Sequence, residues 1–161
     1  MEGENIIITG ANRGIGKELV KVFAEAGANI WACMRKENED FISWKSELEQ
    51  IHNVWIKTVC FDITDSESFD IGIKSILDEN IKIDVLINNA GISTVKLLNK
   101  SKLEEVKALF NVNYFSMLNM IQKISKKMVR QKSGVIINMG SIAGIEPQPG
   151  KIAYGSSKAA V

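Results

Sequence analysis

One histidine, His52, two cysteines, Cys33 and Cys60, and two prolines, Pro147 and Pro149, are all that this 161-residue chain holds of those three residue types. A single histidine excludes a triad built on two and argues against a histidine-rich metal centre; no metal site is expected. Neither cysteine has a cysteine or histidine at metal-ligand spacing, and both fall in apolar strand-like runs, so buried reduced thiols are expected. The prolines share one late loop, and no interior linker, repeat or low-complexity tract divides the chain. Net charge is nearly absent too: at +1 the chain has no global field to favour nucleic acid or an anionic membrane. Its start, MEGENIIITG, lacks a basic region followed by a long apolar run, and no window approaches the roughly 20 apolar residues of a membrane span. A cytoplasmic protein is the expectation.

What is present suits one globular domain over residues 1–161, since 45% of the residues are hydrophobic and can supply a core. Apolar runs at 5–10 (NIIITG), 29–33 (NIWAC), 54–61 (VWIKTVCF), 85–91 (VLINNAG) and 135–140 (VIINMG) read as strands. Between them lie helical stripes: Ile15, Leu19, Val22, Phe23 and Ala26; Phe41, Trp44, Leu48 and Ile51; Phe69, Ile73 and Ile76; and a long one marked by Leu103, Val106, Phe110, Tyr114, Leu118, Ile121 and Met128. Capping boxes at 64–67 and 101–104 open the last two. Near-continuous apolar strands alternating with helices predict an α/β, doubly wound parallel sheet.

The first strand runs into TGANRGIG, Thr9 to Gly16, and then into a helix. Glycine there permits a sharp bend or a close approach to a pyrophosphate, and the helix N-terminus offers free N–H groups and the positive end of a dipole. Three glycines can simply make a turn. Their place directly after strand one favours dinucleotide binding by Thr9, Gly10, Asn12, Arg13, Gly14, Ile15 and Gly16, in a Rossmann-type topology. At the end of strand two, where a carboxylate would hold a ribose 2′-hydroxyl, stand Met34 and Arg35. Nothing there repels a 2′-phosphate, and Arg35 with Arg13 can pair with one, so NADP(H) is favoured over NAD; a solvated loop arginine is the other reading.

Later in the chain come Asp62 and Ile63 after strand three, Asn88-Asn89-Ala90-Gly91 after strand four, Asn113 in FNVNYF, Ser141 after strand five, and Tyr154 four residues before Lys158. Helical residues four apart share a face, so an ammonium at 158 can stand beside a phenol at 154 and favour its phenolate. Reduction of a ketone builds negative charge on oxygen and needs such a proton donor, with a hydrogen-bonding hydroxyl beside it. A lone Tyr-x-x-x-Lys is ordinary on an exposed helix. Asp62 alone reads equally as a helix cap or as a group near an adenine.

Together, in order and spacing, these segments resemble the short-chain dehydrogenase/reductase family over residues 5–161, and within it the 3-oxoacyl-acyl-carrier-protein reductases through TGANRGIG, NNAGI and YGSSKAAV. The resemblance implies that Tyr154 is the general acid and Lys158 its tuner and a holder of the nicotinamide ribose. It implies that Ser141 binds the substrate oxygen and that Asn113 links Lys158 to solvent through water. Asp62 and Ile63 would lie by the adenine, and Asn89, Ala90 and Gly91 by the cofactor. It further implies reduction of a 3-oxoacyl thioester or similar ketone, and a homo-oligomer, dimer or tetramer. Lys123, Lys126, Lys127 and Arg130 fall on one helical face with Lys132 behind, where an acidic acyl carrier protein would dock; a solvated cationic face is the alternative. Family members continue beyond the point where this sequence stops, so the sheet is expected to lack its last strands and the chain to be C-terminally truncated. A noncatalytic nucleotide-binding or subunit-pairing module remains the second reading.

Overall fold

The computed structural model describes residues 1–161. Five strands, β1 (Asn5–Thr9), β2 (Asn29–Met34), β3 (Ile56–Cys60), β4 (Val85–Asn88) and β5 (Val135–Asn138), form one parallel sheet in the order β3-β2-β1-β4-β5. In β1, Ile6, Ile7 and Ile8 have no exposed surface, because helices cover both faces of a central parallel strand. Register follows the side-chain alternation: Ile6 pairs with Ile30 of β2 and Val85 of β4.

On one face Ile6, Ile8, Ile30 and Val85 pack against Val20 and Ala24 of α1 (Gly14–Glu25) and Phe41 and Leu48 of α2 (Glu39–His52). On the other, Ile7, Trp31 and Leu86 meet Phe69, Ile73 and Ile76 of α3 (Ser66–Asp78) and Met120 and Ile124 of α5 (Ser116–Gln131). Each such isoleucine, fully buried, contributes about 1.5–3 kcal/mol. The chain goes outward from β1 to β3 on one side and returns to β4 on the other, so the strand order reverses between β1 and β4. That switch point opens a crevice at the carboxyl ends of the strands. No helix is long and apolar enough to cross a membrane.

The structure alters several sequence expectations. All five strands end one to three residues short of, or one beyond, their apolar runs, because the glycines and polar residues that follow turn away from the sheet. In α1 the buried line is Gly16, Val20 and Ala24, while Ile15 and Val22 are exposed; in α2, Ile51 is exposed. Cys33 is buried, but Cys60, closing the outer strand β3, is exposed. Asp65, not a Thr64 box, caps α3, accepting from Ser68 N–H at 2.7 Å. Glu105, not Glu104, folds back on the start of α4 (Leu103–Phe110), accepting from Lys102 N–H at 2.9 Å.

The expected long helix is broken by a π turn, Asn111–Phe115, between α4 and α5. Ser116 N–H and Ser116 Oγ both donate to the Asn111 carbonyl, five residues back. One inserted residue rotates the faces, so Leu109, Asn113, Met117, Met120, Ile124 and Met128 are buried, whereas Leu103 is exposed and Val106, Phe110, Tyr114, Leu118 and Ile121 are only half-buried. On α5, Lys123 is paired with Asp70 of α3 at 2.8 Å, Lys127 is half-buried, and Lys126 and Arg130 are exposed, so one charge of the basic face is taken up by a solvent-exposed ion pair. The sheet ends on β5, where apolar Val135 and Ile137 are 55% and 40% exposed.

Candidate functional site

Each glycine of the first turn has its own reason. Gly10 and Gly14 have φ of +68° and +53°, the left-handed region that costs other residues about 1–2 kcal/mol. Gly16 has an ordinary φ, but a Cβ there would sit 2.1 Å from the Gly10 carbonyl oxygen and 2.6 Å from Asn89 Nδ2. The same Asn89 amide donates to the carbonyls of Thr9, at 3.0 Å, and Gly10, at 3.3 Å. Buried Thr9 returns the contact: its Oγ1 accepts from Asn89 N–H and Ala90 N–H, both at 3.0 Å. The loop after β1 and the NNAG turn after β4 are thus one hydrogen-bonded unit across the switch point.

Between them lies a cleft of about 650 Å³. All the expected cofactor residues from Thr9 to Gly91 line it: Thr9, Gly10, Asn12, Arg13, Gly14, Ile15 and Gly16 from the first turn, Arg35 after β2, Asp62 and Ile63 after β3, and Asn89, Ala90 and Gly91 after β4. Met34, read at the end of strand two, lines it too, and so do Cys33, Phe61, Thr64, Ile92 and Val112, which were not anticipated because their residue types carry no sequence signal for this. Arg13 gives α1 no side-chain cap, and nothing lies within 4 Å of a Cβ built on Gly14. Uncapped N–H groups, an open glycine and two exposed arginines fit the pyrophosphate and phosphate of a dinucleotide.

Asp62 does not cap α3. It accepts from Thr64 N–H at 2.8 Å and Thr64 Oγ1 at 2.7 Å, closing a turn that aims the loop at the cleft. Those two bonds hold its carboxyl below the usual range against slight burial, with the Arg35 charge adding to the effect.

The second group of residues is carried by α6 (Ile152–Ala159) and the 3-10 turn Ile142–Gly144. Ser141 caps that turn, accepting from Ala143 N–H at 3.2 Å. Two glycines allow α6 to lie on it: a Cβ on Gly155 would be 2.5 Å from the Ala143 carbonyl, and one on Gly144 would be 2.8 Å from the Lys158 backbone. Tyr154 and Lys158 on α6 are both half-buried. Lys158 Nζ donates to the Met139 carbonyl at 2.6 Å and has no carboxylate partner, and burial lowers its pKa.

Asn113 in the π turn is 2% exposed. Its Oδ1 accepts from Ile92 N–H at 2.9 Å, and its Nδ2 donates to the Ile92 carbonyl at 3.0 Å and to Ser157 Oγ at 2.9 Å. Both amide protons are spent inside the protein. Ser141, Tyr154, Lys158 and Asn113 do not line the cleft itself. The two groups meet at Gly91, where a Cβ would lie 3.2 Å from Asn113 Oδ1 and 3.7 Å from Lys158 Nζ.

Comparisons with known proteins show the family and the fold. The family profile of the short chain dehydrogenases matches residues 4–161. The chain is 36% identical over 162 residues to the 3-oxoacyl-acyl-carrier-protein reductase FabG of Thermotoga maritima, covering 100% of this chain and 65% of that protein. It is 32% identical to the FabG of Chlamydia trachomatis, covering 96% of this chain and 62% of the relative. The chain therefore spans somewhat less than two thirds of the length of these relatives. Among solved structures it is similar to a bulky-bulky ketone specific alcohol dehydrogenase from Comamonas testosteroni, with TM-score 0.89, 26% identity and 100% and 64% of the two chains covered. A short-chain dehydrogenase from Streptomyces avermitilis shares the fold, with TM-score 0.87, 24% identity, and 99% and 57% covered.

Proposed function

From the premise that the chain belongs to the short chain dehydrogenase family, we propose that its residues serve NADP(H)-dependent reduction of a ketone, a 3-oxoacyl thioester or similar, to a secondary alcohol. The observation that carries this reading is Lys158, a half-buried ammonium without a carboxylate partner, four residues after Tyr154 and beside Gly91, which lines the dinucleotide-fitting cleft. A stabilising role alone would not leave such a charge unpaired.

Arg13, Gly14 and the α1 N-terminus would hold the pyrophosphate, and Asp62 and Ile63 would flank the adenine. Arg35 would pair with the 2′-phosphate; Met34 offers no carboxylate to repel it. NADPH held there would supply the hydride for the carbonyl carbon. The oxygen then gains negative charge, and Tyr154 Oη gives it a proton. Lys158 favours the resulting phenolate, and only one of its three N–H donors is spent, on Met139, so others are free for ribose hydroxyls. Ser141 Oγ accepts from Ala143 N–H, which leaves its own O–H to donate to the substrate oxygen. An acyl carrier protein is part of this reading as the bearer of the thioester, and a homo-oligomer as its assembly, for which the half-buried second face of α4 and α5 is the available surface.

A second reading, a nucleotide-binding module without turnover, draws on the exposed apolar strand β5. Titration calorimetry with NADPH and NADH, followed by NADPH oxidation with an acetoacetyl thioester, separates the two. Binding with turnover supports the reductase. Binding without turnover supports the module, and no binding of either nucleotide sinks both.

A further inference from the structure

We propose that Ser157 is a positioning residue, whose hydroxyl fixes Tyr154 and Lys158 in place by linking α6 to the Asn113 amide of the π turn. The assignment rests on the reductase reading above, and it concerns a residue that the Tyr-x-x-x-Lys pattern leaves blank.

Four hydrogen bonds form one directed chain. Ile92 N–H donates to Asn113 Oδ1 at 2.9 Å, which fixes the amide's orientation, because a backbone N–H cannot face an NH₂ group. Asn113 Nδ2 then donates to the Ile92 carbonyl at 3.0 Å and to Ser157 Oγ at 2.9 Å. Ser157 passes its single proton to the Tyr154 carbonyl at 2.7 Å. Every donor in the chain has one acceptor, and Ser157 and Asn113 are 0% and 2% exposed, so no water can substitute for either partner.

The three elements joined are the ones whose relation decides the chemistry. Ile92 follows the NNAG turn that lines the cleft, Asn113 sits in the inserted turn, and Ser157 stands between Tyr154 and Lys158 on α6. The glycine contacts of α6 with the 3-10 turn allow close approach, but van der Waals contact alone leaves a helix free to slide or rotate. A directional hydroxyl bond to a buried amide sets both. In this view the π turn exists to bring Asn113 inward at the level of Ser157.

The test uses the full 161-residue chain and its hydroxyl-against-volume alternatives. Ser157→Ala keeps the volume and removes the bond; Ser157→Thr keeps the hydroxyl and adds a methyl. Because the only other tyrosine is Tyr114, a Tyr114→Phe background with ¹³C-labelled tyrosine reports the Tyr154 ring alone. The expected result for Ser157→Ala is a shifted or broadened Tyr154 resonance and kcat for thioester reduction down about 10- to 100-fold, with NADPH Kd changed less than about threefold. Asn113→Ala is expected to give the same loss, and the double variant no further one. An Ala variant with wild-type resonance and kcat would overturn the assignment, as would a pattern in which Thr is damaged and Ala is not, since that is the signature of packing alone. A wild-type chain that neither binds NADPH nor oxidises it would instead overturn the reductase reading, with the Tyr154 resonance still deciding whether Ser157 orders α6.

Discussion

Thr9 and Asn89, 80 positions apart, hold the ends of β1 and β4 in a reciprocal pair: Thr9 Oγ1 accepts from Asn89 N–H, and Asn89 Nδ2 donates to the Thr9 carbonyl, each at 3.0 Å. The pair closes the switch point of the sheet and sets the separation of the two cleft walls. Buried bonds of this kind cost about 1–3 kcal/mol when one partner is removed and the other is left unpaired. The glycine loop is thereby a consequence of the whole sheet as much as of its own sequence.

Gly16→Ala follows from that geometry. Its Cβ would overlap the Gly10 carbonyl at 2.1 Å and the Asn89 amide at 2.6 Å, so both walls must move. The expected outcome is a loss of about 1–3 kcal/mol in denaturant unfolding and loss of NADPH binding. Gly14→Ala, with open space but φ of +53°, should cost no more than about 1–2 kcal/mol.

For Tyr154→Phe the ring and its packing persist and only the hydroxyl, the proposed proton donor, is lost. NADPH binding by calorimetry should stay within a few-fold of wild type, and turnover should fall by about 10²–10⁴. Equal loss of both would show a structural tyrosine.

Arg35→Asp replaces the arginine proposed to pair with the 2′-phosphate by a group suited to a ribose hydroxyl. The ratio of NADPH to NADH affinity should fall at least about tenfold, most strongly at low salt. An unchanged ratio would remove Arg35 from the cofactor site.

Lys158 gives stability a pH dependence of determined sign. Its folded pKa is depressed by burial, so between that value and the unfolded value of roughly 10.4 the unfolded chain binds more protons, and stability rises with pH across this window. Lys158→Met should remove the rise: thermal unfolding of the variant should match or exceed wild type at pH 7, with the difference shrinking by about pH 10. A wild-type curve flat relative to the variant over that range would contradict a desolvated Lys158.

The sequence by itself determined the parallel sheet, because Ile6, Ile7 and Ile8 and their counterparts can be buried only where helices cover both faces. It determined the glycine loop and the order of the polar residues after strands three to five, because left-handed turns and strand ends need particular residue types at particular offsets. Tertiary structure alone decided the rest. The π turn is invisible to a 3.6-residue period, since one inserted residue in a long apolar pattern looks like a second stripe, and it turned Asn113 inward. Cys60 is exposed because β3 is the outer strand, a fact about strand order and not about the residues near it. Ser157, Gly155 and Gly144 have meaning only once α6 lies on the 3-10 turn, because a hydrogen bond or a close approach between segments distant in sequence depends on the path of the chain between them.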